Sequence, residues 1–538
     1  MNKKLLYSFL LAAASMQGIQ SLHAQTAKEL SNIYQDLNLF ADPMATQLQK
    51  GVTLAKISKI KDPQLKEVAQ QLLQNKYSSE YRLANYEALL SPSVLGQQLA
   101  IGDGYSKYEN ITGVYLPIGK QLILVDHIPA GQAVNLVVPN WERRAPEGLA
   151  DPTKDPNGWG LHKQVFTLRN GVNLVDIQHY GGLAYVDYFV EDQDGQAPVT
   201  VHFVGAAVNG YFDNAKHSNA DWDRLLENSV YPVLDAKGAH IQIAYPKEAL
   251  KKYAAGRGHD LINNYDSLVY RQHRLMGLEK YNKVPTNKVL ARVNYNYYMF
   301  RDGDGVAYMG AKPGYAMGMV TNPDVVIKGD PCWGFSHEVG HVHQLRPYFN
   351  WGGLGEVSNN LFSLYVTRSF GNKTRVSDQN NFVKAKADII DKGISFLQDP
   401  DVFNRLIPFW QLQLYFEGPG QNPGFYPDLF EAFRVQSAAD QGKRTGRGRG
   451  DWASDRLAAS NPAVYQLNFV LKACEVSKVD LTDFFDKYGF FYVGQLEYDD
   501  YGKYKYDMTA AMVQECKAAI AAMGLAKPKV DITSMRDL

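Results

Sequence analysis

The segment His337-Glu338-Val339-Gly340-His341 constrains this chain more than any other feature. On an α-helix, residues four apart project from one face, so both imidazoles can reach one ion, with Glu338 on the adjoining arc. Two neutral imidazoles and one carboxylate suit zinc with an open coordination position, where water is acidified towards neutrality and a neighbouring glutamate can take its proton. The carboxylate is expected from Trp351-Gly352-Gly353-Leu354-Gly355-Glu356, where a glycine-rich turn reverses the chain and a new helix begins. Glu356 follows His341 closely enough to return to it. The pattern therefore demands helix, reversal and helix, with His337, His341 and Glu356 as metal ligands and Glu338 as general base. Gly340 costs the first helix about 1 kcal/mol relative to Ala, which predicts that another backbone or a substrate approaches closely there.

Neighbouring residues divide by position. His343, two residues beyond His341, points to a different helical face and is expected to pack rather than ligate. Asn359 and Asn360 lie one turn beyond Glu356 and could orient a ligand or simply cap and pack. Tyr308, in an apolar strand-like stretch, is a candidate oxyanion partner by residue type alone. Asp302-Gly303-Asp304-Gly305 starts like a calcium loop but lacks the later acidic positions, so it reads as a turn. Arg449-Gly450-Asp451, with Lys443, Arg444 and Arg447, reads as a solvated loop.

Beyond this segment, 538 residues are enough for several cores, and 45% hydrophobic with 21% charged residues describes a folded chain. Lys plus Arg equals Asp plus Glu at 56 each, so no charge excess points to nucleic acid or an anionic membrane surface. Residues 1–24 read as a secretory signal peptide: Lys3 and Lys4, an apolar run over residues 5–14, then Leu22-His23-Ala24. No later run reaches the roughly 18 apolar residues of a membrane span, so export without membrane insertion is expected, to a periplasm, a cell surface or the medium. Three cysteines, Cys332, Cys474 and Cys516, allow at most one pair and argue against a disulfide-stapled scaffold. Spacing predicts an α+β multidomain chain: a helical N-terminal region (25–98), a β-sandwich (99–206), a catalytic domain (207–435) and a helical C-terminal region (436–538).

From residue 337 to 360 the sequence resembles the enhancin-like zinc metallopeptidases, whose pattern is a two-histidine helix followed by a downstream glutamate. Tyr308-Met309-Gly310-Ala311, Pro408-Phe409-Trp410-Gln411-Leu412 and Asp483-Phe484-Phe485-Asp486-Lys487-Tyr488-Gly489 resemble the same family. Thr112-Gly113-Val114-Tyr115-Leu116-Pro117-Ile118-Gly119 and Gly181-Gly182-Leu183 resemble its preceding sandwich, so the likeness spans roughly residues 102–493. The N-terminal helical region has no counterpart in it. The resemblance implies a gluzincin-type catalytic domain behind a β-sandwich, a Zn2+ cofactor held by His337, His341 and Glu356, Glu338 as base, and O-glycosylated proteins such as mucins as substrates. Two other expectations stand beside it: a general gluzincin peptidase indifferent to glycans, and a secreted glycan-binding protein with a vestigial metal site, against which the intact set of four residues weighs.

Overall fold

Alternation along single strands sets the layers of this fold, seen in a computed structural model that describes residues 27–146, 149, 154–156, 160–310, 316–442 and 461–537. In the strand Gly119–Asp126, Ile123 and Val125 enter one buried cluster while Leu122 and Leu124 enter another on the opposite face. In Asn135–Pro139, Leu136 and Val138 share the first cluster and Val137 joins a third. Successive side chains point to opposite faces of a strand, so a sheet with both faces apolar must be covered on both.

The coverings follow in order. Helices of the N-terminal region, Pro63–Leu73 among them, place Ile57, Leu65 and Val68 against Leu122 and Leu124. Beneath lies a sandwich of two antiparallel sheets. One orders Leu83–Tyr86, Val199–Phe203, Gly119–Asp126 and Gly171–Ile177; the other orders Ala207–Val208, Ile111–Leu116, Gly182–Asp187, Asn135–Pro139 and Lys163–Thr167. The outer face of the second sheet packs Val137, Leu183 and Tyr185 onto Val233, Ala244, Leu290 and Val293 of a third, six-stranded sheet. A buried polar chain crosses this junction: Trp141 Nε1 donates to Tyr185 Oη at 2.9 Å, and Tyr185 Oη donates to Asp235 Oδ2 at 2.8 Å.

The six-stranded sheet runs Tyr211–Asp213, Val233–Lys237, Ile241–Pro246, Val289–Asn294, Gly305–Met309 and Met299–Asp302. Its central pairs, Ile241–Pro246 with Val289–Asn294 and Val289–Asn294 with Gly305–Met309, are parallel. Both faces of Val289–Asn294 are buried, as a central parallel strand requires. The face away from the sandwich carries Ile241, Ile243, Val289, Ala291 and Val306 into the largest core, which is otherwise helical.

Four helices of that core matter for the site: α1 (Gly258–Leu275), α2 (Gly329–His343), α3 (Ser358–Ser369) and α4 (Val402–Glu417). The α2 helix buries Cys332, Phe335, Val339 and Val342 against the sheet and α1, and α3 buries Leu361, Phe362 and Leu364. The α4 helix starts at Asp401, whose carboxylate accepts the Phe403 N–H at 2.9 Å. Among the described residues all three cysteines are buried and unpaired, and no helix is long and apolar enough to cross a membrane. The expected leader at residues 1–24 and the segment carrying Arg449-Gly450-Asp451 lie outside the described residues.

The structure departs from the expected organisation in three places. Leu83–Tyr86, inside the region expected to be helical, pairs with Val199–Phe203 as an edge strand of the sandwich. Only Tyr86 of its four residues is buried, so its two-residue period is faint in the sequence. The sandwich also extends past residue 206, because Ala207–Val208 pairs with Ile111–Leu116. In the C-terminal region, Gly494–Asp499 and Lys503–Met508 form an antiparallel hairpin rather than helix, and the boundary placed at residue 435 falls within the helix Phe425–Gly442.

Helices α2 and α3 touch backbone to backbone at Gly340, where an added Cβ would lie 2.5 Å from the Asn359 carbonyl oxygen. Gly340→Ala should therefore lower the thermal unfolding midpoint, overpacking of about 1–3 kcal/mol outweighing the roughly 1 kcal/mol that Ala gains as a helix former. An unchanged or higher midpoint would contradict the contact.

Candidate active site

The site is built on the α2–α3 pair. His337 and His341, one turn apart on α2, have ring centroids 5.0 Å apart and nearly perpendicular planes. The chain then reverses through residues 344–357, and Glu356 arrives immediately before α3 with Oε2 3.2 Å from His337 Nε2 and Oε1 3.4 Å from His341 Nε2. Ligand atoms of His337, Glu338 and His341 all lie within 4.8 Å of one another.

Carboxamides fix the imidazoles from behind. His337 Nδ1–H donates to Asn360 Oδ1 at 3.0 Å, and Asn360 Nδ2 donates to the Glu356 carbonyl at 2.7 Å. His341 Nδ1–H donates to Gln344 Oε1 at 3.1 Å, and Gln344 Nε2 donates to the Gly355 carbonyl at 2.8 Å. Each histidine is thus tied to the backbone that delivers Glu356. With Nδ1 committed to the carboxamides, each Nε2 faces inward, donating to Glu356 when the ring is charged and offering its lone pair when the ring is neutral.

The donors fit a single cation. Asn359 Nδ2 stands 3.0 Å from His341 Nε2, 3.3 Å from His337 Nε2 and 3.4 Å from Glu356 Oε2, so one electropositive centre meets all three acceptors. Among the described residues, Asn359 Oδ1 is buried without a partner of its own. Two imidazole nitrogens and a carboxylate oxygen are the chemistry of a catalytic rather than a closed structural metal site.

Electrostatics bind the set together. Burial works against ionisation of Glu356, but hydrogen bonds from His337 and His341 outweigh it and hold its carboxyl far below the usual range. Burial also opposes protonation of His337, yet the Glu356 hydrogen bond and the nearby Glu338 charge leave its pKa above the ordinary value. Glu338 is only 4% exposed. Burial raises its pKa, with the charges of His337 and His341 pulling the other way.

These residues line a cleft of about 550 Å³ together with Met299, Phe300, Trp351 and residues of the 494–508 hairpin. Asp500 clamps that hairpin to the glycine-rich turn: its Oδ2 accepts the Gly353 N–H at 2.7 Å and the Gly355 N–H at 2.9 Å. Tyr498 Oη donates to the Gly352 carbonyl at 2.7 Å. At Gly352 an added Cβ would lie 2.3 Å from the Tyr504 ring, and Gly353 adopts φ +94°, a conformation that favours glycine. The glycines of this turn therefore admit the hairpin as well as reversing the chain. At the hairpin tip, Tyr501 has φ +56° and its hydroxyl donates to Glu356 Oε1.

Other residues singled out in the sequence go elsewhere. His343 is fully buried, with Nδ1 2.8 Å from Gln272 Oε1 and Nε2 3.1 Å from Tyr105 Oη, and burial pushes its pKa down to about 3. Tyr308 is 1% exposed and stacks on Phe335 at 5.7 Å, inside the core rather than on the cleft. The phenol that reaches Glu356 is that of Tyr501. Asp302 and Gly305 pair across the turn between Met299–Asp302 and Gly305–Met309. Sequence reasoning missed Gln344, Asp500 and Tyr501. Alternation of Tyr504, Tyr506 and Met508 with exposed polar residues, next to the Asp500-Tyr501-Gly502 turn, was the signal that could have found the hairpin.

Comparison with known proteins agrees with this architecture. The structure is similar to a metallopeptidase from Bacteroides thetaiotaomicron, with a TM-score of 0.75, 23% identity and coverage of 94% of this chain and 81% of that one. It is also similar to a metallopeptidase in complex with Tn antigen (TM-score 0.70, 23% identity, 86% and 81% covered). A third likeness is to the M60 catalytic domain of Clostridium perfringens ZmpC in complex with the sialyl T antigen (TM-score 0.59, 16% identity, 84% and 81% covered). Among curated proteins, TRPM8 channel-associated factor 3 of Rattus norvegicus is 26% identical over 192 residues, which are 35% of this chain and 19% of that protein's length. The model of the family described as "Peptidase M60, enhancin and enhancin-like" matches residues 205–489, which contain the six-stranded sheet, α1 to α4 and the histidine–glutamate cluster. On that match, the chain belongs to the enhancin-like family of metallopeptidases.

Proposed function

We propose that this protein is an exported zinc-dependent endopeptidase that hydrolyses peptide bonds in O-glycosylated, mucin-like proteins. The observation that carries the proposal is the convergence of His337 Nε2, His341 Nε2 and the Glu356 carboxylate beside buried Glu338, at an open cleft of about 550 Å³. His337, His341 and Glu356 would hold the ion, with Asn360 and Gln344 setting the tautomer and direction of each imidazole. A zinc ion held there would supply Lewis acidity toward a carbonyl oxygen and a water. Glu338 takes a proton from the attacking water and passes it to the departing amine. Its burial excludes competing solvent from the carboxylate, and its place on α2 next to His337 fixes its distance from the reacting atoms. The hairpin shapes the rim of the cleft, where Tyr501 presents a hydroxyl.

Glycoprotein substrates are supported by the similar structures in complex with Tn antigen and the sialyl T antigen. The leader at residues 1–24 supports export, which places the enzyme where such substrates occur.

Glu338→Gln should retain about one zinc per chain while kcat falls by at least roughly a hundredfold, as expected for loss of a general base. Digestion of a mucin-type glycoprotein before and after enzymatic removal of its O-glycans checks both levels of the reading. Cleavage of the glycosylated form alone, abolished in the variant, is the expected result. Equal cleavage of both forms would keep the peptidase and remove glycan dependence, and full activity of Glu338→Gln would overturn the mechanism.

Asp500→Ala should release the hairpin from the turn, removing charge-assisted hydrogen bonds of about 1.5–3 kcal/mol. Hydrogen exchange at the Gly353 and Gly355 amides should accelerate and KM should rise. Unchanged protection of these amides would contradict the clamp.

A further inference from the structure

One wall of the cleft carries positive charge that the hydrolytic chemistry does not use. Arg301 and Arg346 both line it, beside Met299, Phe300 and Tyr504. Arg301 extends from the edge strand Met299–Asp302, and its Nη2 donates to the Asp103 carbonyl at 2.8 Å. Arg346 lies just beyond α2, anchored by its own N–H to the Ala100 carbonyl at 2.8 Å. Among the described residues, the Nε atoms of both arginines are buried without a hydrogen-bond partner.

Of the nearby carboxylates, Glu338 belongs to the chemistry already described, while Asp302 and Asp103 partly offset the charge of Arg301 but are paired elsewhere. Asp302 pairs with Arg292 at 2.6 Å and Asp103 with Lys107 at 3.0 Å. Glu356 is held by His337, His341 and Tyr501, and Asp500 by the Gly353 and Gly355 amides. The charged neighbour that Arg346 feels most is Arg301. Burial first, and then that like charge, push the Arg346 guanidinium down to about 10. Two guanidinium groups partly removed from water beside one another are unfavourable unless an anion completes the set. A guanidinium offers a planar fork of donors that matches two oxygens of a carboxylate or sulfate.

We propose that Arg301 and Arg346 form a subsite for an anionic group of the substrate, a carboxylate or sulfate ester, adjoining the scissile bond. This rests on the peptidase reading of the same cleft. The group can come from an acidic sugar of the attached glycan or from an acidic side chain of the peptide. The chemistry at the arginines is the same in either case: exchange of hydration for charge-assisted hydrogen bonds in a partly dry pocket. Met299, on the same face of the strand as Arg301, supplies an apolar neighbour.

The test uses four versions of one O-glycopeptide: a neutral disaccharide, the same sugar with a terminal sialic acid, the same sugar with a sulfate ester, and the neutral sugar with a peptide Gln replaced by Glu. Calorimetric binding to the zinc-loaded Glu338→Gln protein reads the subsite without turnover, and kcat/KM on the unmodified protein reads it with turnover. At least one acidic version should bind about tenfold or more tighter than the neutral one, and the version that gains identifies the source of the anion. Inorganic sulfate should compete with it, a measurement that needs no substitution. Arg346→Gln and Arg301→Gln should each reduce the acidic-to-neutral ratio about tenfold. Equal binding of all four versions, or a ratio retained in both variants, would overturn the subsite. Acid-selective binding without cleavage by the unmodified protein would uphold the subsite and sink the peptidase reading, whereas cleavage of all four versions at one rate would do the reverse.

Discussion

Gly340 has no side chain, and the backbone of α3 occupies the space a Cβ would fill, 2.5 Å from the Asn359 carbonyl oxygen. Much else in the molecule follows from this contact. It brings the start of α3 against the middle of α2, so that a carboxylate immediately before α3 faces two imidazoles spaced one turn apart on α2. A bulkier residue would push the helices apart by a few tenths of an ångström or more, and a metal site tolerates little such error. The six-stranded sheet serves the same end. It is covered by the sandwich on one face and by helices on the other, so α2 rests on a layer that cannot easily shift.

Around that contact the polar groups act in linked pairs. Asn360 joins His337 to the Glu356 carbonyl, and Gln344 joins His341 to the Gly355 carbonyl, so imidazole orientation and carboxylate position are coupled. Asp500 extends the linkage to a hairpin remote in sequence, since the amides it binds flank the approach to Glu356. The cleft thereby divides by charge. Glu356 is satisfied by histidine and phenol donors and Asp500 by backbone donors, Glu338 stands beside the histidines, and the arginines carry guanidinium donors of the opposite charge.

Legibility in the sequence followed the range of the interactions. His337, Glu338 and His341 could be read because helical geometry alone relates them, and Gly340 because a glycine in a helix interior is unfavourable unless something lies against it. Glu356 could be read because a short glycine-rich reversal limits where the chain can go. Gln344 carries no motif, and its role exists only once Glu356 has returned beside His341. Tyr501 lies 145 positions from Glu356, and no local period announces that separation. Tyr308 illustrates the opposite failure: its type suited an oxyanion partner, but strand alternation turned it into the core against Phe335. The sandwich was legible in its central strands, which are buried on both faces, and illegible at Leu83–Tyr86, an edge strand with one buried residue.

Helix contact, and not the motif alone, brings together the three proposed metal ligands His337, His341 and Glu356. X-ray absorption at the zinc edge on the purified, zinc-loaded chain, paired with the same spectrum of Glu356→Ala, tests it directly. One site with two imidazole nitrogens and a carboxylate oxygen at about 2.0–2.2 Å is expected, with loss of that oxygen in the variant. A spectrum unaltered by Glu356→Ala, or zinc lacking imidazole scattering, would contradict it.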